Sequence, residues 1–307
     1  MLKDILIHKL KILHDTIWEG RASQSDISQW LGNFHEAREQ LHALHLLANF
    51  LYFGHTQIRE LAHALYRDEF RYPIVEQIRR RNADTLDRNL IANEFRAELE
   101  RTRFFGVGNP SESGTHLLYY FRQENRLPKT LFASPHEIFR FADGTPELAN
   151  DQVSRYVFID DLTASGQQVV EYCHNLLIQL KRLMPSSRTS FLALFATPNA
   201  VTAIQHAAIF DEVRCVFELD ETFDCFGRES RYFRTPHMDI DQTFAESTAR
   251  KYGLLLWPTY PLGYDDCGLM LGFHHNTPDN TLPIFWFNEP EGHPWQPIFP
   301  RYPKVDR

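Results

Sequence analysis

Tyr156-Val157-Phe158-Ile159-Asp160-Asp161-Leu162-Thr163-Ala164-Ser165-Gly166-Gln167-Gln168 is the stretch on which the fold of this chain turns. Four apolar residues predict a buried strand, and the two acids that follow mark its end. A small-residue turn comes next, and residues 167–183 place apolar side chains at the spacing of an amphipathic helix. Working outward, residues 189–195 and 213–219 predict further strands, with a helix over 200–208 between them. Upstream, residues 103–108 predict a strand ending in glycines, residues 115–125 a helix, and residues 129–132 a second strand. Strands alternating with helices imply βαβ units and a parallel sheet, whose ligands sit at the carboxyl ends of the strands.

The order of chemical types in 156–168 points to a ligand. Adjacent carboxylates at a strand end repel one another and lose hydration, and accepting hydroxyl hydrogen bonds or facing a cation compensates them. The turn behind them opens a helix, whose free N–H groups and positive dipole end suit a phosphate. Gly166 permits close backbone approach and Ser165 adds a hydroxyl. Together these meet the demands of a ribose 5-phosphate. An ordinary Asp-capped strand–helix turn is the plain alternative. Upstream, Gly106-Val107-Gly108-Asn109-Pro110-Ser111-Glu112-Ser113-Gly114 is neither a dinucleotide-binding fingerprint nor a P-loop, because the spacing fails and no Lys-Ser/Thr follows. Gly108, Ser113 and Gly114 are candidates to place N–H groups and hydroxyls toward a diphosphate; the alternative is a connecting turn with Ser111 or Ser113 as a helix cap.

The remainder is less specific. Residues 1–100 read as helices, with Leu2, Ile5, Leu6, Leu10 and Leu13 at helical spacing. The charged run 76–100 contains Arg79-Arg80-Arg81, either a solvated helix face or a contact for nucleic acid. His35, His42 and His45 read as half-buried helix residues rather than switches. A helix is expected over 239–253, strands over 267–273 and 282–287, and an irregular proline-rich stretch over 290–303. Between those strands Asn276, Thr277, Asn280 and Thr281 are candidates to hydrogen-bond a base, with Trp286 or Tyr264 for stacking; a polar turn explains them equally. His274-His275 have no carboxylate or Cys at ligand spacing, and the four cysteines show no C-x-x-C spacing, so no residue is assigned to a metal.

Charged residues are 23% and hydrophobic residues 43%, a globular composition. The net charge of −8 excludes nonspecific attraction of nucleic acid by the whole molecule. No apolar stretch reaches about 18 residues, and charges recur along the first eight, so neither a membrane span nor a signal peptide is expected. A cytoplasmic protein with reduced thiols is the expectation.

Residues 156–168 resemble the phosphoribosyl-diphosphate signature of type I phosphoribosyltransferases. Carried over by position, Asp160 and Asp161 meet the ribose hydroxyls, and Thr163, Ala164, Ser165, Gly166, Gln167 and Gln168 surround the 5-phosphate. Gln167 and Gln168 stand where that signature has a small residue and Thr. Residues 106–114 occupy the place of the family's pyrophosphate-contacting loop. With His274-His275-Asn276-Thr277-Pro278-Asp279-Asn280-Thr281-Leu282-Pro283, the combination resembles phosphoribosyltransferase-like proteins of bacterial conflict and antiphage loci, including effectors beside retron reverse transcriptases.

The resemblance implies an α/β protein: a parallel-sheet phosphoribosyltransferase-like core over 101–307 with a C-terminal aromatic-rich β segment, behind an N-terminal helical region over 1–100. It implies a phosphoribosyl or nucleotide substrate, Mg²⁺ as cofactor, and a reverse transcriptase with its DNA–RNA product as partners. The expected function is an antiphage effector acting on that substrate. The alternatives are a catalytically inactive nucleotide sensor or scaffold of the same fold, and a nucleic-acid-binding regulatory subunit. A homo-oligomer is left open.

Overall fold

A computed structural model describes residues 2–109, 113–235, 237–288 and 294–301. Helices α1 (Leu2–Asp15), α2 (Gln24–Leu31) and α3 (Ala37–Ala48) lead to a short strand β1 (Leu51–Phe53). Helix α4 (His55–Ala64) continues through a π-helical stretch into α5 (Tyr72–Arg81), and α6 (Arg88–Glu100) follows. Then come β2 (Thr102–Gly106), α7 (Ser113–Glu124), the hairpin β3 (Phe139–Ala142) and β4 (Thr145–Leu148), β5 (Arg155–Thr163), α8 (Gln167–Leu183), β6 (Arg188–Ala196), α9 (Pro198–His206) and β7 (Glu212–Glu218). The chain closes with α10 (Gln242–Leu256), β8 (Leu271–Phe273) and the one-turn α11 (Pro283–Trp286).

Two compact units result. One is Arg59–Leu219; the other joins Met1–Ile58 to Asp220–Arg307. This differs from the expected division at residue 100. The helical residues from Arg59 to Glu100 belong with the sheet, and the C-terminal aromatic segment belongs with the first helices.

In Arg59–Leu219 the strands form one parallel sheet in the order β2-β5-β6-β7. The inner strands β5 and β6 are buried over almost their whole length, as expected for a parallel sheet covered on both faces. On one face Phe158 stacks on Phe105 with centroids 5.0 Å apart, and both join Val169, Cys173 and Leu177 of α8 in a core cluster. Spacings of four along α8 place Val169, Cys173 and Leu177 on one stripe. On the other face Phe104 meets Phe121 of α7 at 5.2 Å.

Three expectations need correction. Residues 129–132 make a 3₁₀ turn, with Phe132 only bridging Phe104, because Pro128 sets its start. Residues 282–287 form α11 rather than a strand: Pro283, with fixed φ and no N–H, suits a first helical turn. The strand expected over 267–273 shortens to β8. The proline-rich stretch lies partly outside the described residues.

In the other unit β8 pairs in parallel with β1, residues more than 200 positions apart. The indole of Trp30 stacks on Phe285 at 5.5 Å and donates to the Ile284 carbonyl at 2.7 Å. Phe34 meets the indole edge-on at 5.1 Å, and Phe34, Tyr252 and Trp295 pack on one another at 5.0–5.6 Å. His42 is buried and neutral by its bonding: Nδ1 lies 2.8 Å from the Arg38 carbonyl, while Nε2 accepts the Asp241 N–H at 3.0 Å. Burial, above all, lowers its pKa; the Arg38 charge adds to this and the Asp241 charge opposes it. Burial lowers that of His45 as well. A lowered folded pKa means that the unfolded chain binds more protons. The contribution of these histidines is therefore complete above about pH 6.5, the unfolded value, and lost as pH falls through the folded value. Urea denaturation should show a fall in stability between pH 7.5 and 5 that His42→Gln reduces.

Candidate functional site

The site is built where β5 leaves the sheet. The two acids are not beyond the strand but within it, since β5 continues to Thr163. Asp160 and Asp161 are 7% and 6% exposed. Strand side chains alternate between faces, so Asp160 and Asp161 approach the carboxyl end of β5 from its two faces. Asp160 shares the face of Phe158 with Cys173, whose thiol is pushed far up by burial and then by the Asp160 charge. Asp160 Oδ1 accepts the Asp161 N–H at 3.0 Å, and Asp161 Oδ1 accepts the Leu162 N–H at 2.8 Å. Burying a charge is costly unless it is hydrogen-bonded, and these contacts meet part of that cost.

The upstream loop reaches the same place. Val107 N–H donates to the Ile159 carbonyl at 3.0 Å, which extends the β2–β5 ladder to the level of Asp160. Gly114, in the first turn of α7, lies directly over this point. A Cβ there would stand 2.6 Å from the Val107 carbonyl oxygen and 3.1 Å from Asp160 Oδ1. Gly108 has φ +92°, a turn conformation that glycine adopts freely. Ser113 is the first residue of α7. Pro110, Ser111 and Glu112 lie outside the described residues, so the Ser111 cap is not placed.

The downstream turn is held from α9. Thr197 Oγ1 donates to the Ala164 carbonyl at 2.5 Å, and Thr197 N–H donates to the Thr163 carbonyl at 3.1 Å. Thr163 is buried, Ala164 and Ser165 are half-buried, and Gln167 and Gln168 are exposed. Gly166, the N-cap of α8, has φ +76°, and a Cβ on it would lie 2.9 Å from the Ala200 carbonyl oxygen. Its glycine is therefore required by helix packing and backbone hand as well as by any ligand. Gly166→Ala should cost about 1–2 kcal/mol for the left-handed backbone alone, read as a lowered urea midpoint. Ser165 Oγ accepts the Gln167 N–H at 3.3 Å, and Gln167 Nε2 donates to Glu171 at 2.7 Å.

Reading the sequence missed Val107, Cys173 and Thr197 as parts of this arrangement. Thr197 did carry a signal, for Thr before Pro198 is a helix-start pattern, and its hydroxyl accepts the Ala200 N–H.

The C-terminal candidates belong to the other compact unit. Thr277 and Asn280 are buried and used internally: Thr277 Oγ1 donates to the Phe299 carbonyl at 3.0 Å, and Asn280 Nδ2 reaches the Tyr264 carbonyl at 3.4 Å. Thr281 Oγ1 donates to the Leu271 carbonyl, and the Trp286 indole to the Thr281 carbonyl. These four spend hydrogen bonds within the local fold, and Asn276 and Thr277 also line a cleft. The three arginines of α5 are engaged as well, Arg79 with the Thr85 carbonyl, Arg80 with Glu76, and Arg81 with Glu94 and Glu98.

Among the described residues no group of three or more His, Cys, Asp or Glu is placed to hold a metal ion. Asp160 and Asp161 fit Mg²⁺ only as an ion bound mostly by substrate phosphates and water, a mode that needs one or two protein carboxylates. Among those residues no helix is long and apolar enough to cross a membrane.

A parallel sheet with an acid pair in a central strand, flanked at that strand's carboxyl end by two small-residue turns, defines a phosphoribosyltransferase-like α/β protein. The family profile described as PRTase-CE matches residues 27–301, and the chain belongs to that family. No curated protein matches. Among solved structures, the orotate phosphoribosyltransferase of Aeropyrum pernix is similar at 15% identity, over 43% of this chain and 73% of its own, with a TM-score of 0.25. The Helicobacter pylori xanthine-guanine-hypoxanthine phosphoribosyltransferase aligns at 10% identity over 55% and 89%, with a TM-score of 0.28. The Mycobacterium tuberculosis H37Rv orotate phosphoribosyltransferase in complex with 5-phospho-alpha-D-ribosyl 1-diphosphate aligns at 13% identity over 61% and 97%, with a TM-score of 0.25.

Proposed function

We propose that this protein binds a phosphoribosyl or nucleotide substrate at the carboxyl end of β5 and acts on its anomeric carbon. One observation carries the reading: the Gly114 turn of α7 closes onto Asp160 from above, while the 163–166 turn leaves the same strand into α8. Two loops that are separate in sequence thereby flank one acid pair.

In this reading the ribose hydroxyls donate to Asp160 and Asp161, and N–H groups of the α8 first turn, with Ser165, hold the 5-phosphate. Residues Gly108, Ser113 and Gly114 border the diphosphate. The bond from the anomeric carbon to the leaving group breaks, the electron pair departs with pyrophosphate or base, and a nucleophile completes the exchange at that carbon. The protein's part is chiefly positioning. Mg²⁺, when bound with the substrate, neutralises phosphate charge.

A second reading, a nucleotide sensor without turnover, has one observation in its favour. Gln167 turns along α8 to Glu171, where the signature it resembles keeps a small side chain. Incubation with phosphoribosyl diphosphate and with nucleotides separates the two. Release of pyrophosphate or free base supports the enzyme; a raised melting temperature without release supports the sensor.

At the level of the cell we propose an antiphage effector, cytoplasmic and associated with a reverse transcriptase and its DNA–RNA product. This rests on the resemblance of residues 105–110, 156–168 and 274–286 to retron-associated proteins. Growth arrest on expression, relieved by co-expression of a neighbouring reverse transcriptase, is the expected result. Toxicity indifferent to that partner would remove the role.

A further inference from the structure

A cleft lies wholly within the unit made by Met1–Ile58 and Asp220–Arg307, and the acid pair of β5 takes no part in it. Its volume is about 150 Å³, and its polar lining includes Arg21, Tyr52, His274, His275, Asn276 and Arg301. Among the described residues no carboxylate lines it. Two acids do stand near, and both are committed. Glu19 accepts the N–H groups of His55 and Thr56 at 2.7 and 3.0 Å, and Asp279 pairs with Arg301 at 2.9 Å.

Arg301, Tyr52 and His275 are held in place before any ligand arrives, and the exposed Arg21 is tied to Tyr52. The Arg301 side chain is 12% exposed and donates to the Thr277 carbonyl at 2.8 Å, with its guanidinium over the Trp286 ring at 5.7 Å. The buried Tyr52 hydroxyl is hydrogen-bonded to Arg21, and burial raises its pKa, so it stays a proton donor. The His275 ring stacks on Phe273 at 5.4 Å and meets His274 at 5.0 Å. The ion pair with Asp279 accounts for the place of Arg301, but Arg21 reaches the same cleft from a distant part of the sequence.

We propose that this cleft binds a phosphoryl anion, either free diphosphate or the phosphate end of a nucleotide. Guanidinium groups fixed in orientation recognise phosphate oxygens with little further ordering. A site smaller than the usual 300–1,000 Å³ of whole-ligand pockets suits the phosphate end alone, with any base projecting beyond it. The proposal stands apart from the β5 site and survives its failure.

The test uses the full chain with ¹³C-labelled histidine, the His274 and His275 ring signals being assigned through single Asn substitutions. Inorganic diphosphate and AMP are titrated separately. Saturable shifts of those rings are expected, weakened about tenfold or more by Arg21→Gln, as for loss of a charge-assisted contact. The double variant Asp160→Asn, Asp161→Asn should leave them unchanged. Equal affinity for both probes identifies free diphosphate as the ligand, and tighter AMP identifies a nucleotide. The proposal is overturned if neither probe shifts these rings up to about 10 mM, if Arg21→Gln changes nothing, or if the Asp160/Asp161 variant abolishes the shifts.

Discussion

Changing Asp160 and Asp161 together to Asn is expected to weaken phosphoribosyl diphosphate binding by about 100-fold or more, since each hydrogen bond to a charged group contributes about 1.5–3 kcal/mol. Release of pyrophosphate should fall at least as far. The substitution keeps shape and removes charge, so the fold should persist. Both carboxylates are nearly sealed from solvent, and neutralising a buried charge relieves its desolvation cost. The double variant should therefore melt no lower than the parent chain. Isothermal titration with a parallel thermal melt reads both quantities. Unchanged affinity in a folded variant would remove these acids from the site; a collapsed melt would instead assign them a structural role.

Trp30→Ala carries the second large effect, about 3–5 kcal/mol of lost stability as for other buried large-to-small changes. The ring is fully buried, stacks on Phe285, meets Phe34 edge-on and donates a hydrogen bond to the Ile284 carbonyl. Removing it leaves a cavity and takes from that carbonyl the shorter of its two donors, leaving the Trp295 indole at 3.3 Å. The loss falls in the unit that joins Met1–Ile58 to the C-terminal segment. Chemical denaturation followed by tryptophan and by backbone signals would measure it. A cost near 1 kcal/mol would mean that this core closes over the gap.

The sheet and its site were legible to different degrees. Residues 155–183 announce themselves because a continuous apolar run, an acid pair, small residues and a helical stripe follow without interruption. The strands β2, β6 and β7 are legible from their place between helices, although β7 carries charges at Glu212, Arg214 and Glu218. Contacts set by distant partners were hidden. Nothing local in Leu51–Phe53 predicts a strand, since it exists only by pairing with Leu271–Phe273. The aromatic C-terminal segment looked like an extension of the sheet domain, because composition does not reveal that Phe285 and Trp295 complete a core around Trp30 and Phe34. Pro283 was misread for a simpler reason: a short apolar run suits a strand or a buried helical turn equally. At the site, the residue types were readable but their roles were not. Gly166 and Gly114 are glycines partly because neighbouring backbone leaves no room for a Cβ, a constraint that only the folded chain imposes.

A crystal structure of the chain with phosphoribosyl diphosphate and Mg²⁺ examines the central proposal most directly. The account predicts ribose hydroxyls within hydrogen-bond distance of Asp160 and Asp161, and the 5-phosphate against the backbone of residues 164–168. Ligand bound elsewhere, with the carboxyl end of β5 empty at saturating concentration, would contradict it.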